Sequence, residues 1–347
     1  MKHVLVLGAQ VPFVQGGAEL LNESLVREIN KLDGIKAELV NMPYKWYPEE
    51  QMLNDIMAWR LVDLSEANGV KIDLVIGTKF PTYAIKHENK VLWLVHQFRQ
   101  MYDLANTEFD SAHGGEQVTR NKIKSLDNKF FNECQKIYTI AETVSERLKK
   151  FNNFDSAPLL PPPALSSQII PGDYGDYILY VGRLDPMKRI DLLIQALAET
   201  SKGKAIIAGK GTEYDNLFKL IKEKKLEDRC KLVGFVSDDE LIEYLSHARA
   251  VYYAPIDEDY GYATIEAFLA KKPVITCSDS GEVEKIVRKT SSGIICESTE
   301  KSISSAINKV FSLSDVELEE MSQNGFEFAK KIQWDEIIQK LVLDNLK

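Results

Sequence analysis

The chain has 347 residues, of which 44% are hydrophobic and 27% charged, and this length and composition predict a folded protein of two domains. Its net charge of −9 argues against a nucleic-acid partner, because general nucleic-acid binders need cations to neutralise phosphates. The first apolar run is too short for a signal peptide, and none reaches the ~18 residues of a membrane span, so we expect a cytoplasmic protein.

The first half alternates apolar runs with helical patterns, which is typical of a doubly wound α/β domain. Buried parallel strands are predicted at 3–8, 37–40, 74–77, 91–95 and 137–140. The loop after the first strand holds Gly16 and Gly17 but no G-x-G-x-x-G, so the dinucleotide fingerprint is absent. His96 and Arg99 follow the strand at 91–95, at the edge where open α/β sheets bind ligands.

Prolines, serines and glycines cluster between residues 158 and 175 and predict a stiff linker. Beyond the linker, strands are predicted at 177–181, 205–208, 231–233, 250–254, 273–276 and 294–296, with helices between them. We therefore expect two Rossmann-like domains, 1–165 and 174–331, that face a central cleft, a favoured place for ligands.

The stretch 255–275, PIDEDYGYATIEAFLAKKPVI, predicts a loop, a short buried helix and the start of a strand. Glu258 lies in the loop and Glu266 about one turn inside the helix, separated by seven residues. Free N–H groups near Gly261 suit a phosphate, and the two carboxylates suit sugar hydroxyls. The run GRLDPMKR follows the strand at 177–181; the planar fork of Arg183 and the compact charge of Lys188 together suit a diphosphate.

These motifs resemble the retaining glycosyltransferases of family 4 (glycosyl transferases group 1), which have the GT-B fold; the resemblance is stronger after Tyr177 than before it. It implies that Arg183 and Lys188 neutralise the leaving diphosphate, that Glu258 approaches the donor sugar and that Glu266 bonds the ribose. The donor- and nucleotide-binding positions that it implies are Gly16, Gly17, Gly182, Gly209, Tyr260, Gly261, Tyr262, Ala263 and Glu266.

For the first domain, the resemblance implies a histidine near the donor sugar at His96 and an acceptor side that includes Trp46, Tyr47 and Arg99. Core packing is the alternative for the two aromatic residues. The resemblance also implies that a last helix, 332–347, crosses back to the first domain. A basic helical pattern over 120–136 predicts a solvated helix, and the alternative is a peripheral contact with the inner face of a membrane.

The expected function is transfer of a hexose from a GDP- or UDP-sugar to a hydroxyl of a glycan, lipid-linked or small-molecule acceptor, as in polysaccharide biosynthesis. No metal or other cofactor is expected, because Arg183 and Lys188 would neutralise the diphosphate; Asp257 and Asp259 are therefore not interpreted as a metal-binding D-x-D. Two alternatives stay open. A non-catalytic sugar-nucleotide-binding module would show no turnover, and an epimerase of GT-B architecture would convert donor without acceptor but should lack the paired glutamates.

Overall fold

A computed structural model describes residues 1–13, 16–107, 110 and 117–346 of the chain. It divides into two compact units. The first unit comprises Met1–Ala164 together with Gln333–Lys347, and the second comprises Leu165–Ile332. The sequence analysis placed the corresponding bounds at 165, 174 and 332.

The first unit is built around a six-stranded parallel sheet with strand order β2-β1-β5-β6-β7-β8. Its elements in chain order are β1 (Lys2–Gln10), α1 (Gly17–Ile29), β2 (Ile35–Pro43), α2 (Glu49–Leu61), β3 (Glu66–Ala67), β4 (Val70–Lys71), β5 (Leu74–Gly77), β6 (Lys90–Leu94), α3 (Gln117–Asn132), β7 (Lys136–Thr139), α4 (Glu142–Asn152) and β8 (Ala157–Pro158). The central strands β5 and β6 are buried along their whole length, as the continuous apolar runs predicted.

The second unit has a six-stranded parallel sheet with strand order β11-β10-β9-β12-β13-β14. Its elements are β9 (Tyr177–Val181), α5 (Ile190–Ala198), β10 (Lys204–Ala208), α6 (Tyr214–Glu223), β11 (Cys230–Gly234), α7 (Asp238–His247), β12 (Ala250–Tyr252), α8 (Tyr262–Leu269), β13 (Val274–Cys277), α9 (Glu282–Thr290), β14 (Gly293–Cys296), α10 (Glu300–Ser312) and α11 (Asp315–Ala329). Because the strand order reverses between β9 and β12, their carboxyl ends form the topological switch point at which such sheets bind ligands.

The segment before β9 packs on the second unit although its composition predicts a linker. The buried ammonium of Lys272 donates to the carbonyl oxygens of Gly172 and Asp173, at 2.7 and 3.0 Å. A side chain at Gly172 would come within 2.7 Å of the Ser246 carbonyl oxygen. The glycine therefore serves close packing here, and the second unit begins before residue 174.

The last segment of the chain belongs to the first unit. It begins with α12 (Trp334–Ile338), and the indole of Trp334 meets that of Trp93 on β6 edge to face, with ring centroids 6.2 Å apart. Asn89 donates to the carbonyl oxygen of Asn345 at 2.8 Å. The expected return of the C-terminal helix to the first domain is confirmed.

Candidate active site

The loops after β9 and β10 come close together because both lack side chains at the critical positions. Gly182 follows β9 and Gly209 follows β10, each with φ of +149°. A Cβ at Gly209 would lie 1.8 Å from the Gly182 carbonyl oxygen, and the Gly182 N–H donates to the Ala208 carbonyl at 3.1 Å. The two backbones therefore meet beside the switch point, in a contact that a side chain at Gly209 would prevent.

A cation and a carboxylate predicted from separate motifs form one pair at this edge. The Lys188 Nζ lies 2.6 Å from the Glu258 Oε2, and the side chains are 10% and 22% exposed. Tyr253 joins them: its hydroxyl lies 3.4 Å from the Lys188 Nζ and donates to the Glu258 Oε1 at 3.3 Å. Burial, with the Glu258 charge adding, raises the pKa of Tyr253 well above its usual range, so the phenol stays protonated.

Backbone pairing with the loop after β13 fixes the position of Glu258. The Glu258 N–H donates to the Ser280 carbonyl oxygen at 3.3 Å, and its own carbonyl accepts from the Glu282 N–H at 3.0 Å. Gly281 lies directly opposite, with φ of +62° and ψ of −127°. A Cβ there would stand 2.5 Å from the Glu258 carbonyl oxygen, so the glycine is required for this approach.

Gly281→Ala should lower the free energy of unfolding by more than the roughly 1–3 kcal/mol of backbone strain that a non-glycine residue brings in a sparsely populated region. The added methyl group would also collide with the backbone of Glu258. Gly234→Ala is the matched control: Gly234 has φ of +76° in the same unit, with open space around its Cβ position. Denaturant unfolding of the two variants measures the difference, and equal losses would mean that the collision is relieved without cost.

Arg189 connects the loop that holds Glu258 to the loop after β13. Its guanidinium makes two hydrogen bonds to the Asp279 carboxylate, at 2.7 and 3.1 Å, and a third to the Pro255 carbonyl oxygen at 3.0 Å. Its backbone is left-handed, with φ of 52°, and its carbonyl accepts from the Tyr252 hydroxyl at 3.0 Å. A non-glycine residue in this conformation costs about 1–3 kcal/mol, which the surrounding contacts must offset.

Arg183, in contrast, points to solvent. Its side chain is 70% exposed, and its nearest ion-pair partner is the Asp185 carboxylate at 3.5 Å. Its backbone carbonyl accepts from the Tyr180 hydroxyl at 2.7 Å, which fixes the backbone but leaves the guanidinium free to turn. The predicted diphosphate clamp thus consists of one buried cation, Lys188, and one exposed cation.

Glu266 lies on α8, close enough for its charge to act on Tyr253, the tyrosine that contacts the Lys188–Glu258 pair. The carboxylate is half-buried, and no hydrogen bond or ion pair to it is found within the part of the chain that the structure describes. Burial, and then the charge of Asp238, raises its pKa to about 7. A carboxylate that has lost water without gaining a partner is suited to accept hydrogen bonds from a ligand.

Gly261 lets α8 begin at this place. It has φ of 83°, and a Cβ there would lie 2.6 Å from the Val283 side chain. Tyr260 and Tyr262 flank it with rings in edge-to-face contact, centroids 5.0 Å apart, and Tyr260 is 2% exposed. Ala263 is likewise buried, whereas Tyr262 is half-buried.

In the first unit, His96 and the glycine loop lie at the carboxyl edge of the sheet. The His96 Nδ1 lies 2.6 Å from the Gln97 carbonyl oxygen and therefore carries the proton of that hydrogen bond. The Gly16 N–H donates to Glu19, whose other carboxylate oxygen lies 2.6 Å from the Lys79 Nζ. Gly17 is the first residue of α1. This ion pair ties the start of α1 to the end of β5.

The three residues predicted for the acceptor side differ in exposure. Arg99 donates twice to the Asp103 carboxylate, at 2.9 and 2.6 Å, so its guanidinium is already engaged. Tyr47 is 57% exposed and meets the half-buried Trp46 edge to face, centroids 5.3 Å apart. The Lys45 ammonium lies 4.5 Å from the centre of the Tyr47 ring. Core packing therefore does not explain Tyr47.

Within the described residues, no three His, Cys, Asp or Glu side chains come together in a way that could hold a metal ion. None of the helices in those same ranges combines the length and apolar character needed to cross a bilayer.

The family model for glycosyl transferases group 1 matches residues 168–328, nearly the whole of the second unit. The second unit is therefore similar to this family over nearly its whole length. An uncharacterized glycosyltransferase of Methanocaldococcus jannaschii is 24% identical to this chain, and the match covers 96% of this chain and 95% of that protein. The N-acetylgalactosamine-N,N'-diacetylbacillosaminyl-diphospho-undecaprenol 4-alpha-N-acetylgalactosaminyltransferase of Campylobacter jejuni is 36% identical over 30% of this chain and 28% of its own, so the match spans well under half of that relative.

Solved structures resemble this chain in fold over both of its units. Sucrose-phosphate synthase from Thermosynechococcus elongatus has a TM-score of 0.76 at 16% identity and covers 98% of this chain and 97% of its own. The Anabaena protein HepE, in complex with UDP and glucose, has a TM-score of 0.69 at 16% identity, with 98% of each chain covered. The expected GT-B fold, with two Rossmann-like units, is confirmed.

The sequence analysis missed three residues of the second unit that hold its candidate site together: Tyr253, Arg189 and Asp279. Tyr253 was part of the strand predicted at 250–254, yet it lies just beyond β12, where side chains reach the ligand edge. Arg189 is adjacent to Lys188, and that adjacency was the available signal. Asp279 belonged to a loop whose partner could not be known before the strands were paired.

Proposed function

We propose that this chain is a glycosyltransferase that moves a hexose from a nucleotide diphosphate sugar to an acceptor hydroxyl, with retention of configuration at the anomeric carbon. The observation that carries the proposal is the largely buried Lys188–Glu258 pair at the switch point of a unit that matches the group 1 family. The carboxylate of Glu266, which has no partner among the residues that the structure describes, lies on the helix that follows. The turn after β9 thus supplies a cation for the diphosphate, and the loop after β12 with α8 supplies acceptors for sugar hydroxyls.

The donor is proposed to bind the second unit. Lys188 and Arg183 would meet the diphosphate, and Glu266 would accept from the ribose hydroxyls. HepE, which is similar in fold, was crystallised with UDP and glucose, and this supports a UDP-hexose as the first donor to test, with a GDP-hexose second.

In the proposed reaction, the bond between the anomeric carbon and the diphosphate oxygen breaks, and its electron pair leaves with the diphosphate. The acceptor oxygen forms the new bond on the same face, and its proton passes to a phosphate oxygen of the leaving group. The chain's own contribution is positioning and charge stabilisation: Lys188 meets the growing negative charge, and Glu258, held by Lys188 and Tyr253, orients the sugar.

The acceptor is proposed to be a glycan or lipid-linked sugar bound by the first unit, in the manner of polysaccharide biosynthesis. The exposed ring of Tyr47 with its neighbour Trp46 offers an aromatic face on which a sugar ring packs. The Campylobacter relative is named for an acceptor carried on diphospho-undecaprenol, which supports a lipid-linked acceptor and a peripheral contact with a membrane surface.

Activity is expected to survive EDTA. Lys188 and Arg183 supply the positive charge that a divalent cation would otherwise bring to the diphosphate. Donor turnover measured before and after dialysis against EDTA tests this, with Mg²⁺ and Mn²⁺ added back in parallel. Complete loss that either cation restores would contradict the proposal and return Asp257 and Asp259 to consideration as ligands.

A thermal-shift screen of nucleotide sugars tests the function itself, since a ligand at about 100 times its Kd stabilises the folded state by about 2.7 kcal/mol. A donor found in this way is then incubated with and without candidate acceptors. Release of nucleoside diphosphate with a new glycoside supports the transferase. Stabilisation without turnover favours the binding module, and conversion of the donor sugar without acceptor favours the epimerase.

A further inference from the structure

Arg189 occupies an unusual place for an arginine. Its side chain is 9% exposed, and its backbone is left-handed between a short 3-10 turn, Pro186–Lys188, and α5. Glycine adopts this conformation without strain, so the arginine is present at a cost in backbone energy. A residue that keeps such a conformation must be held by its surroundings, and it is commonly found where a site depends on the resulting geometry.

The contacts of Arg189 join three loops of the second unit. Its backbone directly follows Lys188 in the loop after β9. Its guanidinium reaches the Pro255 carbonyl oxygen in the loop after β12, and the Asp279 carboxylate in the loop after β13. A planar fork that meets a carboxylate with two parallel bonds fixes orientation as well as distance.

The loop after β13 is the one that places Glu258. The Asp257 N–H donates to the Asp279 carbonyl oxygen at 2.9 Å, and the Glu258 N–H donates to the Ser280 carbonyl oxygen at 3.3 Å. A further bond, from the Ile256 N–H to the Met187 carbonyl oxygen at 2.8 Å, connects the loop of Glu258 directly to the turn that carries Lys188. Loss of the Arg189 fork would therefore loosen both members of the Lys188–Glu258 pair.

We propose that Arg189 and Asp279 form a positioning pair that sets the register of Lys188 against Glu258, and that the chain keeps an arginine in a glycine-like conformation for this purpose. The inference rests on the proposed function for its effect on sugar transfer. The effect on loop geometry is independent of that function.

Three variants separate the side chain from the backbone. Arg189→Gly removes the fork and relieves the left-handed strain, Arg189→Lys keeps a charge without the fork, and Asp279→Asn removes the carboxylate. Lys225→Gly is the matched control, because Lys225 is also left-handed, with φ of 54°, and is exposed at the end of α6. Amide hydrogen exchange of the intact protein, binding of UDP and donor turnover are measured for each variant.

In Arg189→Gly, the amides of Asp257, Glu258 and Glu282 are expected to exchange at least about 10-fold faster, while amides elsewhere in the second unit match those of Lys225→Gly. Turnover of the donor should fall about 10-fold or more, with UDP affinity changed less than about threefold, since the pair acts on the reacting geometry. Arg189→Lys should show nearly the same loss of turnover as Arg189→Gly, because it lacks the fork. Adding Asp279→Asn to Arg189→Gly should change amide exchange and turnover little further.

Unchanged exchange at those three amides would overturn the inference, and so would faster exchange spread evenly over the unit, which would make Arg189 a general stabilising residue. If no donor is turned over by any form of the protein, the proposed function fails, whereas the exchange result still decides the role of Arg189. Local loosening with normal turnover would also contradict the proposal, because the register would then not matter to the reaction.

Discussion

Lys188→Met is expected to lower kcat at saturating donor by about 10²–10³, the usual effect of removing one preorganised charge-stabilising group. Negative charge grows on the diphosphate as the glycosidic bond breaks, so a cation there stabilises the transition state more than the bound donor. The variant also leaves the partly buried Glu258 without the ammonium that lies 2.6 Å away, which adds disorder at the sugar side of the site. Steady-state kinetics over a range of donor concentrations measures the effect.

Arg183→Ala should also lower kcat by about 10²–10³, although this side chain is 70% exposed and must turn to reach a phosphate. Arg183→Lys should be impaired too, because a point charge does not reproduce the planar fork. The Lys188 and Arg183 effects should be non-additive if both hold the same phosphate. Arg288→Ala, an exposed arginine on α9, is the matched control. Near-normal kcat in both folded single variants would show that these cations do not act on the leaving group.

Glu266→Ala is expected to weaken nucleotide binding by about 1.5–3 kcal/mol, the range for hydrogen bonds to a charged group, which is about 10–150-fold in Kd. The carboxylate has no partner within the described residues, so its hydrogen-bonding capacity is available to the ribose. Glu258→Ala should instead reduce sugar transfer more than binding of the bare nucleotide. Isothermal titration with UDP and with the donor separates the two roles; unchanged nucleotide affinity in a folded Glu266→Ala would contradict the assignment.

The ionisation of Glu266 predicts that donor affinity depends on pH. Burial raises the pKa of Glu266 to about 7, and two ribose hydroxyls donate best to the ionised form. Donor affinity should therefore rise with pH across about pH 6–8 and flatten above it, and Glu266→Gln should remove this slope. Because the folded protein holds this proton more tightly than the unfolded chain, the group's contribution to stability falls as pH rises from the unfolded pKa to about 7. A sugar nucleotide suits the titration, since its diphosphate has no group that titrates near neutrality.

Sequence patterns predicted the strands and the glycines of this fold because apolar runs and strand ends are local properties. Gly182 and Gly209 came from the resemblance to family 4, and Lys188 and Glu258 from motifs beside predicted strands together with that resemblance. What stayed hidden was contact between positions far apart in the chain: Lys188 and Glu258 are 70 residues apart and pair only because β9 and β12 are neighbours. Only the paired strands reveal that two predicted ligand residues bind each other.

Local rules also misjudge residues whose partners lie one turn or one loop away. Arg99 follows a strand at the ligand edge, yet the carboxylate of Asp103, four residues further on, binds its guanidinium. Arg189 stands where backbone geometry favours glycine, so no propensity predicts it; its fork to Asp279 supplies the reason. The composition of residues 158–175 suggests a linker, but the buried ammonium of Lys272 holds Gly172 and Asp173 to the second unit.

The central claim is that the Lys188–Glu258 pair marks a site that cleaves a nucleotide sugar, and the most direct measurement is release of nucleoside diphosphate from a donor panel in the presence of mixed glycan and lipid-linked acceptors. The wild-type protein should release UDP or GDP with one donor and form an α- or β-linked product that keeps the donor's anomeric configuration, read by NMR. In the same assay, the rate of nucleoside diphosphate release should be about 10²–10³ lower in Lys188→Met and unchanged in Arg288→Ala. A folded protein that neither binds nor consumes any donor, or that transfers equally well without Lys188, would contradict the claim.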